Sequence, residues 1–405
     1  MMQRKDSHLA VVDVGQAKIR VLVADVRDGA VRYCGHAVES ARGIKRGIIT
    51  DLQPASAAMD AAFKRAEIAA DCSIAHATTG IGGVHVRGFT SRGGIRLGGK
   101  LREITQEDVR AAVEHARNVQ LPSDRSILHL LPQEYLVDEH GGIHNPIGMV
   151  GSTLEVNLQM LTCLTSAMQS VVTCMNHAGI EATDTVFEAL AAAEAVLSAD
   201  ERELGVCVLD IGAASTEVIV FFEGSVMHTA SLPIGGDHFT NDLAVVLRVS
   251  LAQAENLKIN FGHSVVTSVS EAQQVNIPAG TGGQEQLVPL RYISEILEPR
   301  ARELFQMIRD NLRQGGVLEA LGAGAVLTGG GAKLAGLLDH AESLLRAPAR
   351  IGTPVPLSRM PHGLADPEFA TLVGLLLYRH RTSSLRAAQD SSLRSKLRSI
   401  AGGEI

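Results

Sequence analysis

Leu9-Ala-Val-Val-Asp13-Val-Gly15-Gln16-Ala-Lys18-Ile-Arg20-Val-Leu-Val23 and Val206-Cys-Val-Leu-Asp210-Ile-Gly212-Ala213-Ala-Ser215-Thr216-Glu217-Val-Ile-Val220 align without a gap at an offset of 197 residues, nearly half of the 405-residue chain. Each copy reads as a buried apolar strand, an Asp-x-Gly turn and a second strand with alternating residues, Val21 and Val23 matching Val218 and Val220. A repeat of this size means two related lobes, each opening with a β-hairpin. One Asp-x-Gly turn alone would be an ordinary hairpin; two in matching register point to a shared task.

That task is phosphate binding. Gly15 and Gly212 carry no side chain and tolerate positive φ, so backbone N–H groups can approach a phosphate closely. Gln16, Lys18, Ala213, Ser215 and Thr216 then line the two turns. Asp13 and Asp210, at the ends of the first strands, suit a hydrated Mg²⁺, which takes one or two carboxylates plus phosphate oxygens. A third glycine element, Gly329-Gly330-Gly331-Ala-Lys333, follows the apolar strand Ala323–Leu327 and is expected to open a helix whose start passes against a purine. It lacks the spacing of a P-loop.

Composition narrows the field. At roughly 100–200 residues per domain, the chain holds several sizeable cores. Apolar residues make up 45% and charged residues 20%, as in ordinary globular proteins. Aromatics are 3% with no Trp and the net charge is −7, which argues against nucleic acid as a partner. Five scattered cysteines without a Cys-x-x-Cys pair suit a reducing compartment. Asp13 interrupts the first apolar run, so no signal-peptide core is expected, and the apolar stretch Leu372–Tyr378 is far too short to cross a bilayer. A cytoplasmic location follows, with a surface membrane anchor still open.

Two Asp-x-Gly hairpins half a chain apart and a Gly-Gly-Gly turn resemble the phosphate and adenosine motifs of the actin, chaperone and sugar-kinase superfamily. Gly43-Ile-Lys-Arg-Gly47-Ile-Ile-Thr-Asp51, Asn145-Pro-Ile-Gly-Met149-Val-Gly151, Ala254-Glu255-Asn-Leu-Lys258, Ile296-Leu-Glu-Pro-Arg300 and Gly374-Leu-Leu-Leu-Tyr378 fall in the order and near the spacings of bacterial FtsA. Over about residues 8 to 380 the chain is similar to that family of cell-division proteins.

The resemblance implies an α/β fold, a two-lobed actin-like ATPase with an extra subdomain inserted in the first lobe. Its expected divisions are 1–83 with 163–197 as the first lobe core, 84–162 as the insertion, 198–232 with 303–380 as the second lobe core, and 233–302 as that lobe's small subdomain. In the insertion, Thr105 to Asp108 reads as a helix start, followed by an amphipathic run Val109, Val113, Ala116 and Val119. A loop is expected at 139–149, with His129, His140 and His144 as solvated loop histidines rather than metal ligands.

By the same resemblance ATP and Mg²⁺ are the cofactors. Glu188, at the start of the small-residue run 187–197 that suits a hinge, would face the water attacking the γ-phosphate, and Asp13 and Asp210 would hold the metal. Glu255 and Lys258, one helical turn apart, would reach ribose and adenine. The implied partners are a second copy in a polymer, the C-terminal peptide of the tubulin-like FtsZ, and later division proteins through 84–162. Arg291 and Arg300 beside Tyr292 and Ile296 offer that peptide a basic and apolar surface, unless Arg300 pairs internally with Glu298 or Glu303. The sugar-kinase reading lacks a matching sugar-binding segment, a DnaK-type chaperone would need a further domain, and the rival inside the fold is PilM-like.

Residues 379–405 hold six basic and two acidic residues, leaving +4 there and −11 elsewhere. Residues 382–392 read as a linker, after which Leu393, Leu397 and Ile400 share one helical face with Arg394, Lys396 and Arg398 around the other. This is the pattern of an interfacial anchor, so the protein is expected on the inner face of the cell membrane at the division site.

Overall fold

A computed structural model describes residues 8–98, 101–279 and 284–384. Two five-stranded sheets share one topology. The first runs, edge to edge, Glu181–Phe187, His76–Ile81, His8–Val14, Lys18–Arg27 and Ala30–Ser40. The second runs Ala349–Ile351, Gly324–Thr328, Val206–Ile211, Thr216–Phe222 and Ser225–Leu232. In each, the central strand pairs antiparallel with its hairpin partner and parallel with the strand on its other side. The sequence repeat is therefore a structural one, and the α/β fold of two related lobes is observed.

The alternation in the hairpin strands separates two cores rather than core from solvent. Val21 and Val23 pack with Met59 and Phe63 of helix Leu52–Ala70, whereas Leu22 and Ala24 face a cluster between the lobes. In the second lobe Val218 and Val220 pack against helix Leu290–Gln314, and Ile219 and Phe221 turn to the same interlobe cluster. Helix Leu290–Gln314 runs unbroken through residue 302.

The interlobe cluster centres on helix Glu188–Val196, in which Ala189, Ala191, Ala192, Ala193 and Ala195 are fully buried. It crosses the helix at 370–384 so closely that a Cβ at Gly374 would lie 1.8 Å from the Ala191 carbonyl oxygen. Small residues bring the backbones together here, as the sequence suggested for a hinge. The second helix reaches residue 384, so its end overruns the linker expected from 382; the basic amphipathic pattern at 393–400 lies outside the described residues.

The insertion is a four-stranded sheet ordered His140–Ile143, Arg125–Val137, Thr153–Leu164, Arg87–Arg96, with helix Gln106–Arg117 laid across Gly93. Thr105 and Asp108 form a reciprocal capping box, and Arg102 grips Asp108 with both terminal nitrogens. Three expectations change. Val119 lies beyond the helix and is exposed, because the chain leaves the helix after Arg117. His140 begins a strand paired with Val137 instead of lying in a loop. His129 sits within strand Arg125–Val137, where its Nε2 accepts the Phe187 N–H at 2.9 Å and burial lowers its pKa to about 4. The inserted sheet also reaches the second lobe, with Gln133 Nε2 donating to the carbonyls of Val226 and Met227.

Candidate functional site

The two hairpin turns close alike. Gly15 N–H donates to the Lys18 carbonyl at 3.1 Å and Gly212 N–H to the Ser215 carbonyl at 2.9 Å. Neither glycine has positive φ; each is needed because a Cβ would press on the carbonyl that closes its turn, at 3.0 Å in the first and 3.2 Å in the second. Both turns open onto one cleft that is partly open to solvent. Gly15, Gln16, Gly212, Ala213, Ala214 and Ser215 line it together with Gly80 to Gly83 and Glu188.

Register carries the pairing of charges. Asp13 lies opposite Arg20, and Asp210 opposite Glu217, the same two positions of the repeat. In the first lobe the pair is an ion pair, Arg20 Nη1 donating to Asp13 Oδ2 at 2.9 Å. In the second lobe two acids face each other, and each turns to other donors. Asp210 Oδ2 accepts the Thr371 hydroxyl at 2.6 Å, while Glu217 accepts the N–H groups of Gly83 and Ala189.

Glu188 completes the group: Cβ atoms at Gly80 and Gly82 would strike its carboxyl end. Burial raises all four carboxyl pKa values. Glu188 is pushed well up by burial and then by Glu217, Asp13 and Asp210. Burial and Asp210 push Glu217 up to about 8, and burial pushes Asp210 up to about 6 against the pull of Thr371. Asp13 rises by burial although Arg20 opposes it.

The sequence-named residues divide by position. Gln16 spans the cleft mouth, donating to Asp237 Oδ2 and accepting the Arg46 N–H. Ala213 accepts the Asp237 N–H through its carbonyl, and the buried Thr216 hydroxyl donates to the Ile234 carbonyl at 2.7 Å. Lys258 Nζ reaches Glu255 at 2.7 Å and the Gly236 carbonyl at 3.0 Å, and Gly236 N–H donates back to the Gly212 carbonyl. The pair thus stands beside the second turn.

Gly329, at φ 81°, passes so close that a Cβ would lie 2.3 Å from Asp210 Oδ1. Gly330–Lys333 is a 3₁₀ turn and the α-helix begins only at Leu337, which corrects the expected helix start. Lys333 pairs with Asp366 at 2.6 Å, and Lys18 with Glu368 at 2.8 Å. Arg291 and Arg300 lie away from the cleft. Arg300 is held by Asp242 at 2.7 Å and by Glu303, and Arg291 by Glu271 and Glu295.

Sequence reasoning named the glycines but overlooked Arg20, Glu217, Thr371 and Glu368. Arg20 and Glu217 were visible as equivalent positions of the repeat; Thr371 and Glu368 carry no local signal and arrive through the fold. The donor set fits a polyphosphate with a divalent cation. Four acids, Asp13 and Glu217 buried and Glu188 and Asp210 half-buried, gather around the Arg20 guanidinium, and the raised pKa values show that ionising all four together is costly unless a further cation joins them. The glycine turns provide the side-chain-free surface a phosphate needs.

The profile of the family described as "Cell division protein FtsA" matches residues 207–374, and that of the "SHS2 domain inserted in FTSA" matches 83–162. Cell division protein FtsA of Pseudomonas aeruginosa is 34% identical over 368 residues, covering 91% of this chain and 88% of its own. That of Borreliella burgdorferi is 34% identical over 388 residues, covering 95% and 94%, and that of Escherichia coli K12 is 32% identical over 387 residues, covering 93% and 92%. Among solved structures, a type IV pilus biogenesis complex of PilM and PilN aligns with TM-score 0.66 at 18% identity, over 92% of this chain and 98% of that one. MreB 5 of Spiroplasma citri bound to AMPPNP aligns with TM-score 0.56 at 13% identity, over 94% and 98%. These two share the fold alone. The near full-length similarity to FtsA proteins at about one third identity shows the family: the chain belongs to the FtsA family of actin-like cell division proteins.

Proposed function

We propose that this chain binds ATP with Mg²⁺ between its lobes and uses the bound nucleotide to govern self-association on the membrane, where it tethers FtsZ. The observation that carries the nucleotide reading is the opening of both duplicated glycine turns onto one cleft beside Glu188. Asp13 and Asp210 would hold the metal, directly or through water. Bound Mg²⁺ would supply charge neutralisation for the phosphates. Gly329 to Gly331, with Lys258 and Glu255, would flank the nucleoside. Glu188, once ionised, would orient a water, and turnover would be slow because phosphoryl transfer depends on a well-positioned water and Glu188's raised pKa holds back the form that positions it.

FtsZ would dock its C-terminal peptide on the 233–302 region. Tyr292 is exposed there, and the peptide's acids would compete with those now holding Arg291 and Arg300. The tail with Leu393, Leu397 and Ile400 would anchor the chain on anionic lipid, weakly per copy and strongly in a polymer. Among the described residues no helix is long and apolar enough to cross a membrane, so an interfacial segment is the anchor this reading requires. Later division proteins would meet the insertion.

Co-sedimentation with FtsZ, alongside flotation with anionic liposomes, tests the assembly role. FtsZ lacking its C-terminal tail is expected not to co-sediment, and Leu397→Glu not to float. FtsZ binding that survives tail removal, or a turnover on the order of 10 per second, would favour a different mode or an enzyme of the same fold.

A further inference from the structure

Beside the Gly15 turn, Lys18 and Arg20 already carry an anion. Glu368 Oε2 lies 2.8 Å from Lys18 Nζ and 3.1 Å from Arg20 Nη2, so one carboxylate from the second lobe engages both Lys18 and Arg20 of the first hairpin. Its backbone is firmly seated. Asp366 Oδ1 accepts the Glu368 N–H, Lys333 holds Asp366, and the Pro367 carbonyl accepts from Gly329 N–H and the Thr328 hydroxyl. The turn 366–369 is thereby fixed against the Gly329–Gly331 turn, and the Glu368 side chain reaches across to the other lobe.

The two anions on Arg20 differ. Asp13 is buried and locked opposite Arg20 by strand register, so it stays. Glu368 is tied by its side chain alone, and Lys18 is 45% exposed, so both can be re-aimed by rotation about side-chain bonds. Arg20 is not saturated either: its Nε is buried and finds no acceptor among the described residues, while its guanidinium carbon lies over the Phe369 ring, 5.6 Å from the centroid. Phosphates held at the two turns, beside the converging carboxyl groups of Asp13, Glu188, Asp210 and Glu217, need these two cations, and a carboxylate beside the same nitrogens would repel them.

We propose that Glu368 is a built-in competitor of the nucleotide: its carboxylate occupies Lys18 and Arg20 in the empty protein and is displaced by the phosphates of ATP. This rests on the nucleotide reading above and adds Arg20 to the phosphate-binding residues. Displacement also frees the side-chain tie at the foot of the helix at 370–384, the element that leads toward the basic tail.

Calorimetry on the full chain with Mg²⁺ tests it, comparing ATP with adenosine. Glu368→Gln keeps the shape and removes the charge, so ATP is expected to bind about five- to tenfold more tightly, with adenosine unchanged. Arg20→Gln is expected to weaken ATP by about tenfold, again without affecting adenosine. An interlobe latch that merely closes the cleft would move both ligands together. That outcome, or an unchanged ATP affinity in Glu368→Gln, overturns the proposal while leaving the nucleotide reading intact; a wild-type chain that binds no ATP removes both. A structure of the wild type with AMPPNP gives the answer without a variant. Glu368 is expected beyond about 4 Å from both cations, and its persistence on both would contradict displacement.

Discussion

At the scale of single residues, one substitution within the repeat sets the character of the site. Position 20 is an Arg in the first lobe and its equivalent, position 217, is a Glu in the second. The first Asp therefore has a counter-ion across its hairpin, and the second has another acid. Glu217, raised to about 8 by burial and Asp210, binds a proton in the folded chain that it loses in the unfolded one above an ordinary carboxylate pKa of about 4.3. Between these limits the native state holds more protons, so its stability falls as pH rises. The melting temperature of the ligand-free protein is expected to decline from pH 5 to pH 8, and Glu217→Gln to flatten that decline above pH 6. The residual slope would come from Asp210, Asp13 and Glu188, which interact with Glu217 and with one another, beside Arg20. An equal slope in wild type and variant would mean that Glu217 titrates normally.

At the scale of elements, the hairpins were readable because a strand–turn–strand with Asp and Gly in fixed places is local information. The capping box at Thr105 and Asp108 was readable for the same reason. What escaped was non-local. His129 was grouped with His140 and His144 as a loop histidine on the strength of Gly141, Gly142 and Pro146, yet strand pairing buries its ring against the Phe187 N–H at the start of the Glu188 helix. Val119 fitted helical spacing, but the helix ended before it. The run 187–197 announced close packing through its alanines, although its partner, Gly374, could be found only in three dimensions. That crossing lies at the centre of the cluster between the lobes. Gly374→Val would drive a side chain into the Ala191 carbonyl and is expected to cost about 3 kcal/mol, measured by denaturant unfolding. A cost under about 0.5 kcal/mol would mean that the two helices separate freely.

At the scale of the whole molecule, two copies of one sheet face each other across a joint of small residues, and their matching turns meet at a single cleft. The fold was legible because a duplication halves the problem: identifying one lobe identifies the other. The cleft's charge balance was not legible, since Glu368 and Thr371 come from the far end of the chain and the four acids converge only after both lobes close. The insertion also touches the second lobe, Gln133 Nε2 donating to the Val226 and Met227 carbonyls.

The central claim is that both turns hold one nucleotide together. It is tested most directly by titrating ATP with Mg²⁺ into the folded chain and into Gln16→Glu, Ala213→Asp and Asp210→Ala. The account predicts one ATP per wild-type chain and loss of binding in each variant, because an added acid in either turn repels the same phosphates and loss of Asp210 removes the metal's ligand. Full binding that survives Gln16→Glu or Ala213→Asp in variants with unchanged melting would contradict a site shared by the two turns.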